Sequence, residues 1–511
     1  MTEPKEPAEN KKEPHDAAWK KILRSVVFLA GLIFMVSYLD SVFQYKEAPK
    51  RFHLFFEDKE AEYDVMFFGT SHVIDSVSPL ELWDNHGITS YNFAGYGMNM
   101  PTLYWLIQNV LEYKTPKLVV IDCSRISKTN LYGTVYQTHN VFDAFPLTRT
   151  KADAIFELFE PEYQLEFFWK FSIYHDRWEE LEEDDFDTQY SYERGYSHRY
   201  PVAVPNEFVP IASSRQTKET ANGVIYLRKA IEFCQAKGID VMLTYMPYPA
   251  AATQQREANR AAVIAEEYGI NYVNFLTLDG VVNYNTDLFD PSHLNVSGAH
   301  KITTFLGNYF RWNYDFPDHT GEEIYASWDE DYQKHVAVAR SKIKSLKSLD
   351  SYLMMLSDKN FSSCIYIPKD SMLLKDARML ELVNNIPVSE YPEHLEEAVA
   401  LGGDYFLFVD NENGKFLECI GASASGNLET SFAAVSYGSA GEDGHLVEIG
   451  ASKYLVGAKS SAADIEIIVI DNKSGEIFDT GSFTVTLGSQ YVEASRAGSV
   501  AVPKEKEDTE K

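Results

Sequence analysis

Cysteine is scarce in this chain. Only Cys123, Cys234, Cys364 and Cys419 occur in 511 residues, far apart and with no Cys-x-x-Cys pair. That argues against a disulfide framework and a thiolate metal site, and leaves the four thiols as small apolar fillers. Positive charge is also in short supply, with 46 Lys and Arg against 76 Asp and Glu, a formal net charge of -30. A chain of that sign repels nucleic acid and anionic lipid surfaces, so no nucleic-acid partner is expected, and an acidic glycan would have to be met at a local basic patch. After the first apolar run there is no second one of membrane-spanning length, and no motif calls for a metal or a cofactor. The run Glu179 to Asp187 holds seven acids, but acid clusters of this kind are usually solvated faces.

Apolar material, by contrast, is plentiful. Hydrophobic residues make up 45% and aromatics 14% of 511 residues, enough for a sizeable core and more than one core normally sustains, so two or more domains are expected. Near the start, Lys20-Lys21-Ile22-Leu23-Arg24 precedes an uncharged run from Ser25 to Leu39, and apolar character resumes after Asp40 as far as Tyr45. Residues 25–45 just cross a bilayer, at ~1.5 Å per residue against a hydrocarbon core of ~30 Å. Lys5, Lys11, Lys12, Lys20, Lys21 and Arg24 precede the run and Lys46, Lys50 and Arg51 follow it, a bias that places the amino terminus in the cytoplasm and the bulk of the chain outside. No small-x-small cleavage site follows, so an uncleaved single-pass anchor is expected rather than a signal peptide or a buried core helix.

The most informative stretch is Asp64-Val-Met-Phe-Phe-Gly-Thr-Ser71-His72. Val65 to Phe68 is a continuous apolar run, as in a parallel strand buried on both faces, and Gly69 lets the chain turn sharply at its carboxyl end, where open α/β sheets bind ligands. A serine hydroxyl needs an adjacent base, itself oriented by a third group. Asp290-Pro-Ser-His293 offers both, so Ser71, His293 and Asp290 are candidates for nucleophile, base and orienting acid. The pattern is not the Gly-x-Ser-x-Gly elbow, because Val73 stands where the second glycine would be.

From Glu60 onward strands and helices alternate as in βαβ units. Strands are expected at Val65 to Phe68, Ser90 to Phe93, Leu118 to Ile121, Val241 to Tyr245 and Tyr272 to Phe275, with helices at Pro79 to Asn85, Pro101 to Tyr113, Glu219 to Ala236, Gln254 to Tyr268 and Ser297 to Phe310. Right-handed crossovers would then align every carboxyl edge on one side and bring Ser71 and His293 together. The aromatic-rich region from Ser124 to Thr217 is read as irregular, a lid or substrate wall over that edge.

With a serine after the first strand and a late Asp-x-x-His block, the chain resembles the SGNH/GDSL hydrolases and acyltransferases over roughly Tyr63 to Phe310. The resemblance implies an α/β fold, a three-layer α/β/α sandwich around a parallel five-stranded, flavodoxin-like sheet, with Ser71, Asp290 and His293 as its triad. It implies an oxyanion site at the Ser71 amide and Gly97, the glycine of Tyr91-Asn92-Phe93-Ala94-Gly95-Tyr96-Gly97. In the third block the family usually has Gly-x-Asn-Asp, whereas this chain reads Cys123-Ser124-Arg125-Ile126 after the strand ending at Asp122. One oxyanion donor worth about 3 to 4 kcal/mol is therefore missing unless Ser124 or Arg125 replaces it. The chain looks most like membrane-anchored, extracytoplasmic relatives such as the D-alanyl transfer protein of teichoic acid and the alginate O-acetylation proteins.

His72 beside the nucleophile is read as a substrate contact or loop stabiliser, since neighbours in a turn tend to point apart. Tyr174-His175-Asp176-Arg177-Trp178 is either part of an acceptor-glycan site or a buried tryptophan with a surface ion pair. Beyond Trp312 the composition shifts, and a charged helical stretch (Asp329 to Ser348) leads into a mixed α/β or β-rich region with hairpins at Asn413-Gly414 and Ser474-Gly475. The expected organisation is a cytoplasmic tail (1–24), a transmembrane anchor (25–45), a catalytic domain (60–312), an accessory domain (329–500) and a disordered tail (501–511). The expected function is serine-dependent O-acyl transfer to, or removal from, a cell-surface glycan at the plasma membrane, with a multi-spanning membrane partner supplying the acyl group if the reaction is transfer. The alternative is a catalytically silent glycan-binding or scaffold protein of the cell envelope.

Overall fold

In the computed structural model, residues 15–131, 133–203, 208–211, 214–384, 386, 395–487 and 492–503 are described. Of the tail 501–511 expected to be disordered, residues 504–511 lie outside them, as do the first fourteen residues of the expected cytoplasmic tail, whereas Ala501 is ordered by an isolated antiparallel bridge to Leu455.

Five parallel strands, β1 (Val65–Gly69), β2 (Ser90–Ala94), β3 (Leu118–Asp122), β4 (Asp240–Tyr245) and β5 (Asn271–Asn274), form one sheet in the order β2-β1-β3-β4-β5. The first three are buried at every position, which is why their sequences run apolar without alternation. Successive side chains still leave on opposite faces: Met66 and Phe68 join a core with Phe93, Val119, Leu106 and Leu227, while Val65 and Phe67 join another with Val120, Met242, Ile302 and Phe310. Helices Met100–Val110, Asn222–Ala236 and Ala252–Tyr268 cover the first face, and Pro79–His86 and Val296–Asn313 the second.

The helix boundaries follow from local chemistry. Ser78 accepts from the Glu81 amide ahead of Pro79, and Gly87 ends that helix with a φ of 60°. Asn99 caps the helix Met100–Val110 through the Thr102 amide. The first core also receives Ala48, Phe52 and Phe55 from a helix Glu47–Glu57, and Trp328 from a long helix Ala326–Ser345.

The reading of Ser124 to Thr217 as irregular is corrected: it contains helices Val135–Phe142, Arg149–Leu158, Pro161–Phe168, Phe171–Tyr174 and Glu183–Phe186. Four of them are one or two turns long, too short to show a helical period, whereas Arg149–Leu158 buries Lys151, Ala154, Ile155 and Leu158 at helical spacing. The acid run is not simply solvated either. Asp185 pairs with Arg177 at 3.2 Å and Lys46 at 3.6 Å, and Asp184 with Lys50 at 2.5 Å. Arg177 is buried while Trp178 is 65% exposed, the reverse of a buried tryptophan with a surface ion pair.

The helix His15–Phe43 precedes this body, and its segment Trp19–Phe43 is long and apolar enough to cross a membrane, with none of its apolar window buried. Only its carboxyl end meets the rest, through Phe43 on Phe171 at 5.4 Å and Asp40 near Lys170 at 3.8 Å.

The carboxyl-terminal region is antiparallel. A six-stranded sheet runs β15-β14-β13-β6-β7-β8, built from β6 (Phe361–Ile367), β7 (Tyr405–Asp410), β8 (Lys415–Ile420), β13 (Ile465–Asp471), β14 (Ile477–Leu487) and β15 (Val492–Gly498). A four-stranded sheet, β12-β11-β10-β9, comprises β9 (Gly426–Glu429), β10 (Ala434–Ser439), β11 (His445–Ile449) and β12 (Ser452–Val456). Cys364, Tyr366, Phe406 and Phe408 face the smaller sheet, while Ile365, Ile367, Tyr405 and Leu407 pack under helices including Leu349–Met355 and Ala377–Asn384. Both expected glycine turns close hairpins, β7 to β8 and β13 to β14. All four cysteines are free and buried.

Candidate active site

The carboxyl end of β1 leads into a single helical turn, Ser71–Ile74, capped by Thr70, whose Oγ1 accepts from the His72 amide. Gly69 is required where the chain turns: a Cβ there would lie 2.5 Å from Val73 Cγ2 and 2.9 Å from Asp122 Cβ. Its carbonyl accepts from the Gly95 amide at 3.2 Å, tying this turn to the loop after β2.

Ser71 is 8% exposed, and its Oγ is 2.8 Å from His293 Nε2. His293 Nδ1 is 2.8 Å from Asp290 Oδ2 and 3.0 Å from Oδ1, and Oδ1 also accepts from the amides of Ser292 at 2.8 Å and His293 at 3.0 Å. Asn295, not Asp290, caps the following helix by accepting from the Ser297 and Gly298 amides, so the Asp290 carboxylate is left for the imidazole. Burial opposes its charge, but the Ser292 amide, the His293 ring and the His293 amide together hold its carboxyl below the usual range. A hydroxyl bonded to an imidazole that is itself bonded to a carboxylate can pass its proton to the ring as oxygen forms a new bond, because the carboxylate fixes the tautomer and stabilises the imidazolium.

The other candidate residues fare differently. Gly97 has a φ of 60°, a conformation suited to glycine, and Gln137 lies against it. Together with Arg125 and Thr138 they line a cavity of about 130 Å³. Ser124 is turned inward: its Oγ donates to Asp122 Oδ2 at 2.5 Å and lies 3.1 Å from Thr70 Oγ1, and the residue is 3% exposed. Arg125 is exposed, with a φ of 68° and its amide donating to Glu257 Oε2 at 3.0 Å.

His72 does not point away from the site. Its ring stacks on Tyr248 at 4.3 Å and stands 5.2 Å from the His293 ring. Burial, then the charges of His293 and Arg125, push its pKa down to about 3, so it is neutral beside the relay. Among candidates from the sequence, Ser71, His72, Asp290 and His293 are thus brought together, Gly97 and Arg125 border a cavity whose lining includes none of those four, and Ser124 serves the loop.

Several contributors carried no sequence signal. Arg199 donates from Nε to buried Asp75 Oδ1 at 2.8 Å and from its second terminal nitrogen to Tyr96 Oη at 3.2 Å. Its guanidinium lies 4.9 Å over Phe289, whose ring is stacked 5.6 Å from His293. Its carbonyl accepts from the Val296 amide at 2.8 Å, so one residue braces both the serine turn and the histidine loop. Buried Glu257 accepts from the Arg125 and Ser127 amides and from Tyr245 Oη, holding the loop after β3. A lone acid four residues after Ser71 was the one hint of Asp75, and nothing marked Arg199 or Glu257 as partners.

No protein-family model matches this chain, and no curated protein matches it. Among solved structures, it is similar to a Bacteroides fragilis protein described as an acylhydrolase, with 12% identity and a TM-score of 0.28, over 53% of this chain and 98% of that one. At that level the likeness carries no argument about activity, and the site's own geometry has to.

Proposed function

We propose that the chain is an extracytoplasmic, serine-dependent acyl-ester enzyme of the SGNH type, transferring an O-acyl group, such as acetyl, to a cell-surface glycan or removing it. The observation that carries this reading is the continuous relay Ser71 Oγ, His293 Nε2, His293 Nδ1, Asp290 Oδ2, with 2.8 Å at each hydrogen bond. Ser71 Oγ attacks the acyl carbonyl while His293 takes its proton, and the Ser71 and Gly97 amides receive the oxyanion. Collapse expels the donor's alkoxide, which takes from His293 the proton that Ser71 gave up, and leaves an acyl-serine. His293 then deprotonates a sugar hydroxyl or water, which takes the acyl group and restores the serine. Substrate groups beyond the reacting carbonyl would occupy the cavity bordered by Gly97, Gln137 and Arg125.

The anchor belongs to the same proposal: residues 1–24 in the cytoplasm, 25–45 in the bilayer, a catalytic domain over 60–312 and an accessory domain over 329–500. Exposed Phe156, Leu165, Phe168, Trp169 and Trp178 lie on or next to the short helices that meet the end of the apolar helix, a composition suited to a membrane interface. Transfer would need a multi-spanning membrane partner to deliver the acyl group.

One observation favours a silent scaffold instead: Ser124, in the block that should supply an oxyanion donor, spends its hydroxyl on Asp122 and Thr70. Labelling with a serine-directed fluorophosphonate separates the readings. Modification of Ser71 that disappears in Ser71→Ala and His293→Ala is expected for the enzyme, and no reaction with the probe or with activated esters favours the scaffold. Product analysis with water and glycan acceptors in competition distinguishes esterase from transferase.

A further inference from the structure

A second cluster of chemistry lies away from the serine relay, where the segment Glu193 to Tyr200 meets the long helix Ala326–Ser345. His335 Nδ1 is 3.0 Å from Glu193 Oε2 and 3.1 Å from His198 Nε2, and His198 Nε2 is 3.8 Å from Glu193 Oε1. One ring nitrogen offers either a hydrogen or a lone pair, so a single protonation state satisfies one of its two contacts well and leaves the other poor. Glu193 is 6% exposed, and its Oε1 is buried without a hydrogen-bond donor among the described residues. Buried carboxylate oxygens are costly in that condition.

A cation resolves both problems at once, because it accepts a lone pair from each residue. One ligand atom from each residue lies within 4.8 Å of the other two, and the 3.1 Å between the two ring nitrogens is close to the roughly 3.3 to 3.6 Å between donors placed tetrahedrally about 2.0 to 2.2 Å from zinc. The next shell is also in place. Glu81 Oε1 stands 3.8 Å from the other ring nitrogen of His335, while Glu81 Oε2 is 2.8 Å from His300 Nδ1. At 3.8 Å this carboxylate is an electrostatic neighbour of the His335 ring rather than its hydrogen-bond acceptor, and its charge favours a more basic imidazole. His198 and His335 line a cavity of about 80 Å³ together with Tyr200, whose hydroxyl is buried without a partner among the described residues.

We propose that Glu193, His198 and His335 bind a divalent transition-metal ion of the zinc class, with the fourth position open to the cavity. Two imidazoles and one carboxylate are a borderline-soft set that suits zinc, cobalt or nickel over calcium or magnesium. The site would clamp the Glu193 to Tyr200 segment onto the helix Ala326–Ser345. Because the Ser197 amide donates to the Ile74 carbonyl and Arg199 to Asp75, the clamp would also steady the turn that carries Ser71.

The test uses the full chain in detergent, stripped with a chelator and titrated with zinc or cobalt by calorimetry and absorption. Expected are about one ion per chain, the visible bands of tetrahedral cobalt, and a rise in melting temperature on zinc addition. His198→Gln and Glu193→Gln should lose the ion, and Glu81→Gln should weaken binding by roughly 10- to 100-fold. Failure of the wild-type chain to bind zinc or cobalt stoichiometrically overturns the proposal. So does stoichiometric binding that persists unchanged in His198→Gln and Glu193→Gln, because the ion would then sit elsewhere.

Discussion

The central strands of the two large sheets are similarly buried, but the sheets are differently wired. In the parallel sheet every strand ends on the same side, so the segments after β1, β2 and β3 and the loop beyond β5 empty onto one edge. Ser71, Gly97, Arg125 and His293 arrive there from four separate stretches of chain. In the six-stranded sheet all neighbours are antiparallel, so consecutive strand ends alternate between opposite edges and no such convergence is built in. Direction, not burial, decides which sheet collects polar groups at a point.

If that contrast holds, loss of activity should concentrate at one edge while loss of stability spreads over both sheets. Ser71→Ala should lower hydrolysis of an activated ester by at least about 10⁴-fold, read by steady-state kinetics, with the melting curve little changed. Asp290→Asn should cost about 10³- to 10⁴-fold by leaving His293 in the wrong tautomer. Because interactions hold the Asp290 carboxyl below its ordinary value, its support is present above the unfolded pKa of about 3.9 and fades only as pH falls through the lower folded value. Phe408→Ala, in the middle of β7 and fully buried, should cost about 3 to 5 kcal/mol of stability by denaturant unfolding. Its folded fraction should keep the wild-type kcat.

Asp122→Asn sharpens the comparison through pH. Burial, the largest influence, pushes the Asp122 carboxyl up to about 6, above its unfolded value, so the folded state favours the protonated form and loses stability as pH rises through that range. The substitution should flatten the fall in stability between about pH 4 and 6, measured by unfolding at a series of pH values. The smallest effect is expected for Gly475→Ala in the β13 to β14 turn, where a φ of 70° makes a side chain cost about 1 to 2 kcal/mol. Activity should not respond.

Much of the parallel half was legible because its signals are local. Val65 to Phe68 and Leu118 to Ile121 could be found from unbroken apolar runs, and the helix before Gly87 from its proline and glycine. Most of the short helices between Val135 and Phe186 escaped because one or two turns do not establish a period, although Arg149–Leu158 carries one. In the carboxyl-terminal region the apolar β6 and β13 stood out, whereas β9, whose Gly426–Glu429 is half polar, became a strand only by pairing with β10. The site was legible in part. Ser71 and the Asp290 to His293 step are motif-sized, but Arg199, Glu257 and Tyr248 act across separations that no local pattern records.

The sequence by itself determined which segments are strands of a parallel sheet, which serine follows the first of them and which histidine stands three residues from an acid. Those features depend on hydrophobic spacing and turn chemistry within a few residues. Only the tertiary structure decided that His72 lies beside His293, that Ser124 turns inward, that Arg177 is buried and Trp178 exposed, and that Glu193, His198 and His335 share one space. A side chain's direction and partners are set by packing between segments that are often far apart along the chain, and packing is a property of the folded chain rather than of any window along it.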